Sequence, residues 1–135
     1  MRSRSKALIL LAAIAAVGAA GIATGGIIKE RERQTQRASA MTGGDPDKAM
    51  SAIVRYGCAA CHNIPGAQMP GGLAAQPLRD VGQRLYIGGV VNNTPDNLVR
   101  WIVNPKQFDP RTAMPVTGIG EAEARNVAAY LYRNR

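Results

Sequence analysis

One histidine, His62, and two cysteines, Cys58 and Cys61, are the chain's whole supply of imidazole and thiol over 135 residues. A single histidine excludes any site built on a histidine pair. Two cysteines leave no disulfide framework. Aromatic residues are scarce as well: Trp101, Phe108 and four tyrosines. No run of basic residues is interleaved with stacking aromatics, so the formal charge of +8 does not indicate nucleic acid as a partner. No internal repeat is present, and no alternation marks a convincing strand. No acid/base pair stands out, which argues against a small-molecule substrate.

The excess of positive charge is uneven. Residues 1–44 carry seven Lys or Arg against two acids, and residues 45–135 carry ten against seven. Most of it therefore flanks the one long apolar stretch. From Ala7 to Ile28, 22 residues pass without a charged side chain. As a helix they would span roughly 33 Å, enough for the hydrocarbon core of a bilayer. Secretory signals have shorter apolar regions of about 7–15 residues. Residues 1–28 are therefore expected to form a basic N-terminus and a transmembrane anchor, with a cleaved signal as the alternative. Arg2, Arg4 and Lys6 lie on one flank and Lys29, Arg31, Arg33 and Arg37 on the other. Positive charge alone does not orient such a segment. Residues 29–44, polar and ending in Gly43-Gly44, are expected to be a flexible linker, or one whose first half continues the helix.

Residues 45–135 read as one all-α domain. Asp45-Pro46-Asp47 has the chemistry of a helix start, and Gly57 that of its end. Residues 63–92 are rich in Gly and Pro and read as loop, with at most a short helix near Leu78–Leu85. Asn93-Thr94-Pro95-Asp96 starts a second helix, which Asn104-Pro105 stops. Glu121 starts a last one, with Ala124, Val127, Ala128 and Leu131 on its inner stripe. Loops this long are uncommon in a compact domain unless they wrap around something.

That something is indicated at Cys58-Ala59-Ala60-Cys61-His62. Cys-x-x-Cys-His is the attachment signature of a covalent c-type haem. Two thiols at this spacing can add to its two vinyl groups, and the adjacent histidine projects from the same turn toward the iron. A zinc site would want four ligands, and the chain offers three. A thioredoxin-type pair wants an α/β pattern, which is missing. With His62 as the only imidazole, the other axial ligand is expected to be a methionine, a pairing that raises the haem potential. Met1 and Met41 lie in the anchor and linker. Met50 lies on the first helix. Met69 lies too soon after His62 for anything but a tight turn. Met114, in a downstream loop stiffened by Pro115, is the expected ligand. With both axial positions filled, the iron has no open site, and one-electron transfer is the expected function.

At these residues the chain resembles the class I cytochromes c. The resemblance rests on the haem motif with Ile64-Pro65-Gly66, on Asn93–Leu98, Trp101-Ile102 with Asn104-Pro105, Thr112–Pro115 and Ala129–Tyr132, and covers about residues 45–134. It is similar above all to small membrane-anchored cytochromes and to cytochrome domains of haem-copper oxidases. It implies a class I cytochrome c fold around one haem, with first and last helices crossing near Gly57 and Tyr130. It implies that Trp101 and Arg84 hydrogen-bond the haem propionates. It implies that a carbonyl near Gln76 accepts the Nδ1 proton of His62, although the chain has Ala75-Gln76-Pro77-Leu78 where the family often has Gly-Pro-x-Leu. It also implies a haem domain on the periplasmic side of a bacterial inner membrane, held by a single-pass anchor. The expected partners are redox proteins of a respiratory chain, such as a quinol-oxidising complex and a terminal oxidase. An integral haem subunit of a larger oxidoreductase, or a haem enzyme or sensor with a labile methionine, are the alternatives.

Overall fold

A computed structural model describes residues 2–67, 72 and 74–134. The chain forms two units, Met1–Gln34 and Thr35–Arg135. Helix α1 (Arg2–Thr42) begins in the first and ends in the second. In the first unit Leu11, Ile14, Val17, Ile22, Ile27 and Ile28 are all exposed. A helix apolar on every side is at home only in apolar surroundings. By length and composition it suffices to cross a membrane, a test that a signal sequence near the N-terminus also passes.

Of the two expectations for residues 29–44, a flexible linker and a helix continued through the first half, the helix forms and runs further than expected. Helix α1 continues through Thr42. The reason is local: Lys29–Thr42 contains neither Gly nor Pro and is rich in Glu, Arg, Gln and Ala, good helix formers. Gly43 ends the helix in the left-handed region, its N–H donating to the Ser39 carbonyl at 2.8 Å.

The second unit is helical, as its sequence pattern indicates. Asp45 accepts the Asp47 N–H at 3.0 Å and caps a short 3₁₀ turn, Pro46–Lys48, that leads into α2 (Ala49–Arg55). The single turn α3 (Cys58–Cys61) follows Gly57. Thr94 caps α4 (Pro95–Val103), its hydroxyl accepting the Asn97 N–H at 3.2 Å. Helix α5 (Glu121–Arg133) starts with two acids in the positive field of its N-terminus. Its expected inner stripe is buried, and Ala129, Tyr130 and Tyr132 are buried with it.

The stretch Leu78–Leu85, expected to hold at most a short helix, makes a single 3₁₀ turn, Val81–Gln83. One expectation fails. A small hairpin pairs β1 (Tyr86–Ile87) antiparallel with β2 (Val91–Asn92) across Gly88-Gly89. Strands of two residues are too short to show alternation.

Helix α5 packs on both α2 and α4 and ties down the rest of the unit. Asn126 Oδ1 accepts the Asp45 N–H at 2.7 Å, and Arg125 donates to the Thr42 carbonyl at 2.8 Å. Tyr130 donates to the Pro65 carbonyl at 2.5 Å, and Tyr132 to Asn93 Oδ1 at 2.9 Å. The close backbone approach lies not at Gly57, where a Cβ would meet nothing within 4 Å, but at Gly44. There a Cβ would sit 2.1 Å from the Arg125 carbonyl oxygen. Alanines at the packing faces, Ala49 and Ala52 on α2 and Ala124 and Ala128 on α5, are almost fully buried.

Glu123 clamps α2 from outside. It accepts from Arg55 at 2.8 Å and from the Tyr56 hydroxyl at 2.7 Å. That hydrogen bond to a carboxylate, with some burial, raises the Tyr56 pKa above its ordinary value. The folded state thus holds the phenolic proton more tightly than the unfolded chain does. The contribution is present below the unfolded tyrosine pKa of about 10 and fades as pH rises through the folded one. Melting temperature followed between pH 9 and 12 should fall less steeply for Tyr56→Phe than for the wild type. Burial raises Tyr132 in the same direction, so some slope should persist.

Candidate haem-attachment site

Gly57 stands at φ +68°, a left-handed conformation that a glycine adopts without strain. It reverses the chain at the end of α2, its N–H bonded to the Val54 carbonyl at 3.1 Å, and sets α3 at a new angle. One turn is all that α3 has. His62 closes it with an N–H to the Cys58 carbonyl at 3.0 Å and leaves in extended conformation. Both thiols are therefore carried on a single helical turn and the imidazole immediately beyond it. Both cysteines are free; Cys58 is half-buried and Cys61 exposed. Burial pushes the Cys58 thiol pKa up.

So short a helix leaves its carbonyls unpaired. The following segment returns along it and supplies the donors. Gly72 N–H meets the Ala60 carbonyl at 3.2 Å, Ala75 N–H the Cys61 carbonyl at 3.0 Å, and Leu78 N–H the Asn63 carbonyl at 2.8 Å. This strap carries Gln76, whose carbonyl lies 2.8 Å from His62 Nδ1. A carbonyl can only accept, so Nδ1 bears the proton and the Nε2 lone pair is left to ligate a metal. The strap ends at Asp80, at φ +60°, a left-handed conformation that aspartate tolerates better than most residues.

Arg84 is bound to the same strap. Its guanidinium donates to the carbonyls of Pro77 and Arg79, the latter at 3.2 Å, and to Gln76 Oε1 at 3.3 Å. Trp101, buried on α4, donates its indole N–H to Met114 Sδ at 3.1 Å. Both donors expected to reach haem propionates thus have protein partners here. A buried indole N–H needs an acceptor, and the Met114 sulfur supplies one. Arg84 sits within reach of three acceptors on one loop.

Cys58, Cys61, His62, Gln76 and Arg84 are joined through α3 and its strap. Met114 and Trp101 form a second pair, seated between α4 and the loop before α5. Of the other methionines, Met41 is exposed and Met50 packs on the core. Met1 and Met69 lie outside the described residues. Among the described residues, no three His, Cys, Asp or Glu side chains cluster as metal ligands. Sequence reasoning missed two contacts: Trp101 with the Met114 sulfur, and Asn93 as a link between α5 and the chain ahead of it. The first was signalled only by an indole lacking an acceptor, and the second by an asparagine just ahead of the Thr94 cap.

A helical shell with a two-thiol turn, an adjacent imidazole fixed through Nδ1, and a sulfur donor in a separate loop defines a covalent-haem protein. The sequence comparison agrees with the geometry. The Cytochrome c family model matches residues 48–134, from the 3₁₀ turn to the end of α5. The chain belongs to the cytochrome c family, whose cofactor is covalently bound haem c with its iron. No curated protein and no solved structure matches it.

Proposed function

We propose that the protein is a monohaem electron carrier held at a bacterial inner membrane by α1, with its haem domain on the periplasmic side. Cys58 and Cys61 would hold the haem through thioether bonds, and His62 Nε2 and Met114 Sδ would ligate its iron. The observation that carries this reading is the hydrogen bond from His62 Nδ1 to the Gln76 carbonyl. It fixes the tautomer and ring orientation that a ligating histidine needs. Trp101 supports it by fixing the Met114 sulfur with its N–H. The bound haem supplies a one-electron couple. The chain's own residues would hold it and orient it. Members of the family are typically electron carriers rather than enzymes. Helix α1 supports anchoring, since apolar residues cover all its sides from Leu11 to Ile28. A carrier so placed would exchange electrons with membrane redox complexes, a quinol-oxidising complex or dehydrogenase on one side and a terminal oxidase on the other. Stable membership of such a complex is the second form of the same reading.

Carbon monoxide tests the ligand set. The ferrous full-length protein should keep its spectrum unchanged under carbon monoxide, and Met114→Ala should bind the gas stoichiometrically. Ready binding by the unaltered protein would mean an open iron site and would favour an enzyme or sensor.

A further inference from the structure

Asn93 lies between β2 and the cap of α4, and its side chain joins three parts of the fold. Its amide nitrogen donates to the carbonyls of Val81 and Arg84, at 2.6 and 2.9 Å. Its backbone N–H donates to the Leu85 carbonyl at 2.9 Å. Its amide oxygen accepts the Tyr132 hydroxyl at 2.9 Å, so α5 decides which way the amide faces. The main chain of Val81–Leu85 is thereby held by one residue, through its side chain at Val81 and Arg84 and its backbone N–H at Leu85. From that fixed point Arg84 extends its guanidinium to Pro77, Gln76 and Arg79. The carbonyl of Gln76 is the acceptor of His62. A continuous set of hydrogen bonds runs from Tyr132 through Asn93 and Arg84 to the strap that holds the imidazole.

The geometry points to Asn93 and Arg84 as positioning residues that set the hydrogen bond on His62, and through it the potential of the iron that His62 ligates. This inference rests on the ligand assignment proposed above. A firm carbonyl on Nδ1–H makes the imidazole more basic, and a more basic ligand favours ferric iron. Loosening the strap weakens that bond and raises the potential. Arg84 serves here as a five-donor fork spread over one loop, a role its charge alone does not fill.

Three variants of the full-length, haem-bearing protein separate this from simpler roles. Asn93→Ala changes no charge. Arg84→Lys keeps the charge and loses the fork. Tyr132→Phe removes one hydroxyl and leaves the core filled, so it folds even where Asn93→Ala does not. The reduction potential is measured for each. The exchange of the His62 Nδ1 proton with heavy water is followed in the ferric state by NMR. All three should raise the potential and speed proton exchange several-fold, with Tyr132→Phe giving the smallest change. The inference is overturned if Asn93→Ala and Arg84→Lys carry six-coordinate haem but leave both readouts at wild-type values. It is overturned equally if a fourth variant, Arg84→Gln, which removes the charge, moves the potential while Arg84→Lys does not, since charge would then be the whole effect. Failure of the underlying assignment looks different: the unaltered protein would lack covalent haem or bind carbon monoxide. Either result would end both.

Discussion

Replacing both attachment thiols, Cys58→Ala with Cys61→Ala, should abolish covalent haem completely. On a denaturing gel stained for haem the full-length band should vanish, while either single variant keeps a weakened band through its remaining thioether. The two thiols share one turn, and no other cysteine exists to take their place. The effect should extend to the fold. Seven of the twenty buried hydrophobic residues described in the second unit are alanines, which contribute little apolar mass each. Domains of this size bury a limited fraction of their surface and are marginal without extra ties. A covalently held planar apolar group adds core and cross-link at once. Far-UV circular dichroism of the double variant should therefore show lost helix at room temperature, and a fully helical spectrum would separate folding from attachment.

The second large effect is expected at Gly44. A Cβ there would stand 2.1 Å from the Arg125 carbonyl oxygen, 2.2 Å from its carbon and 2.6 Å from the Asn126 nitrogen. All three are backbone atoms inside α5 and cannot swing aside as a side-chain tip would. Gly44→Ala must push the chain off α5, and the neighbouring Asp45 N–H to Asn126 and Arg125 to Thr42 bonds go with it. Overpacking costs about 1–3 kcal/mol and occasionally more. With two hydrogen bonds lost as well, roughly 3 kcal/mol or more is expected, a fall in melting temperature of roughly 10 °C or more for a domain of this size. Gly120→Ala is the control. It has ordinary φ and open space at its Cβ, so its cost should stay under about 1 kcal/mol, that of a weaker helix cap. Equal melting temperatures for the two variants would mean that the seam opens freely.

Much of this was legible in the sequence, and the rest was hidden for identifiable reasons. The caps at Asp45 and Thr94, the stops at Gly57 and Asn104 and the inner stripe of α5 follow from local chemistry, and the structure has them where residue types place them. The thiols and histidine are legible because they are chemically singular in a chain with so few of either. Gln76 could be named only by resemblance, because what reaches His62 is a carbonyl, and every residue has one. In residues 29–42 the helix runs beyond the first half of the segment, because the second half also consists of residues that favour helix and the first glycine stands at 43. The hairpin was invisible because two residues per strand carry no period. The partners of Arg84 and Trp101 depend on which acceptors the fold brings near, a property of no single stretch of chain.

Helix α5 has a further consequence, and it concerns time. Nearly every tie that closes the second unit ends on it: Asp45 on Asn126, Thr42 on Arg125, Pro65 on Tyr130, Asn93 on Tyr132, Arg55 and Tyr56 on Glu123. It also follows every one of those partners in the chain. The two thiols emerge well before the element that shuts the domain exists. A chain made in that order presents Cys58 and Cys61 while the walls around them are still apart, and the thirteen-residue helix is the door hung after them.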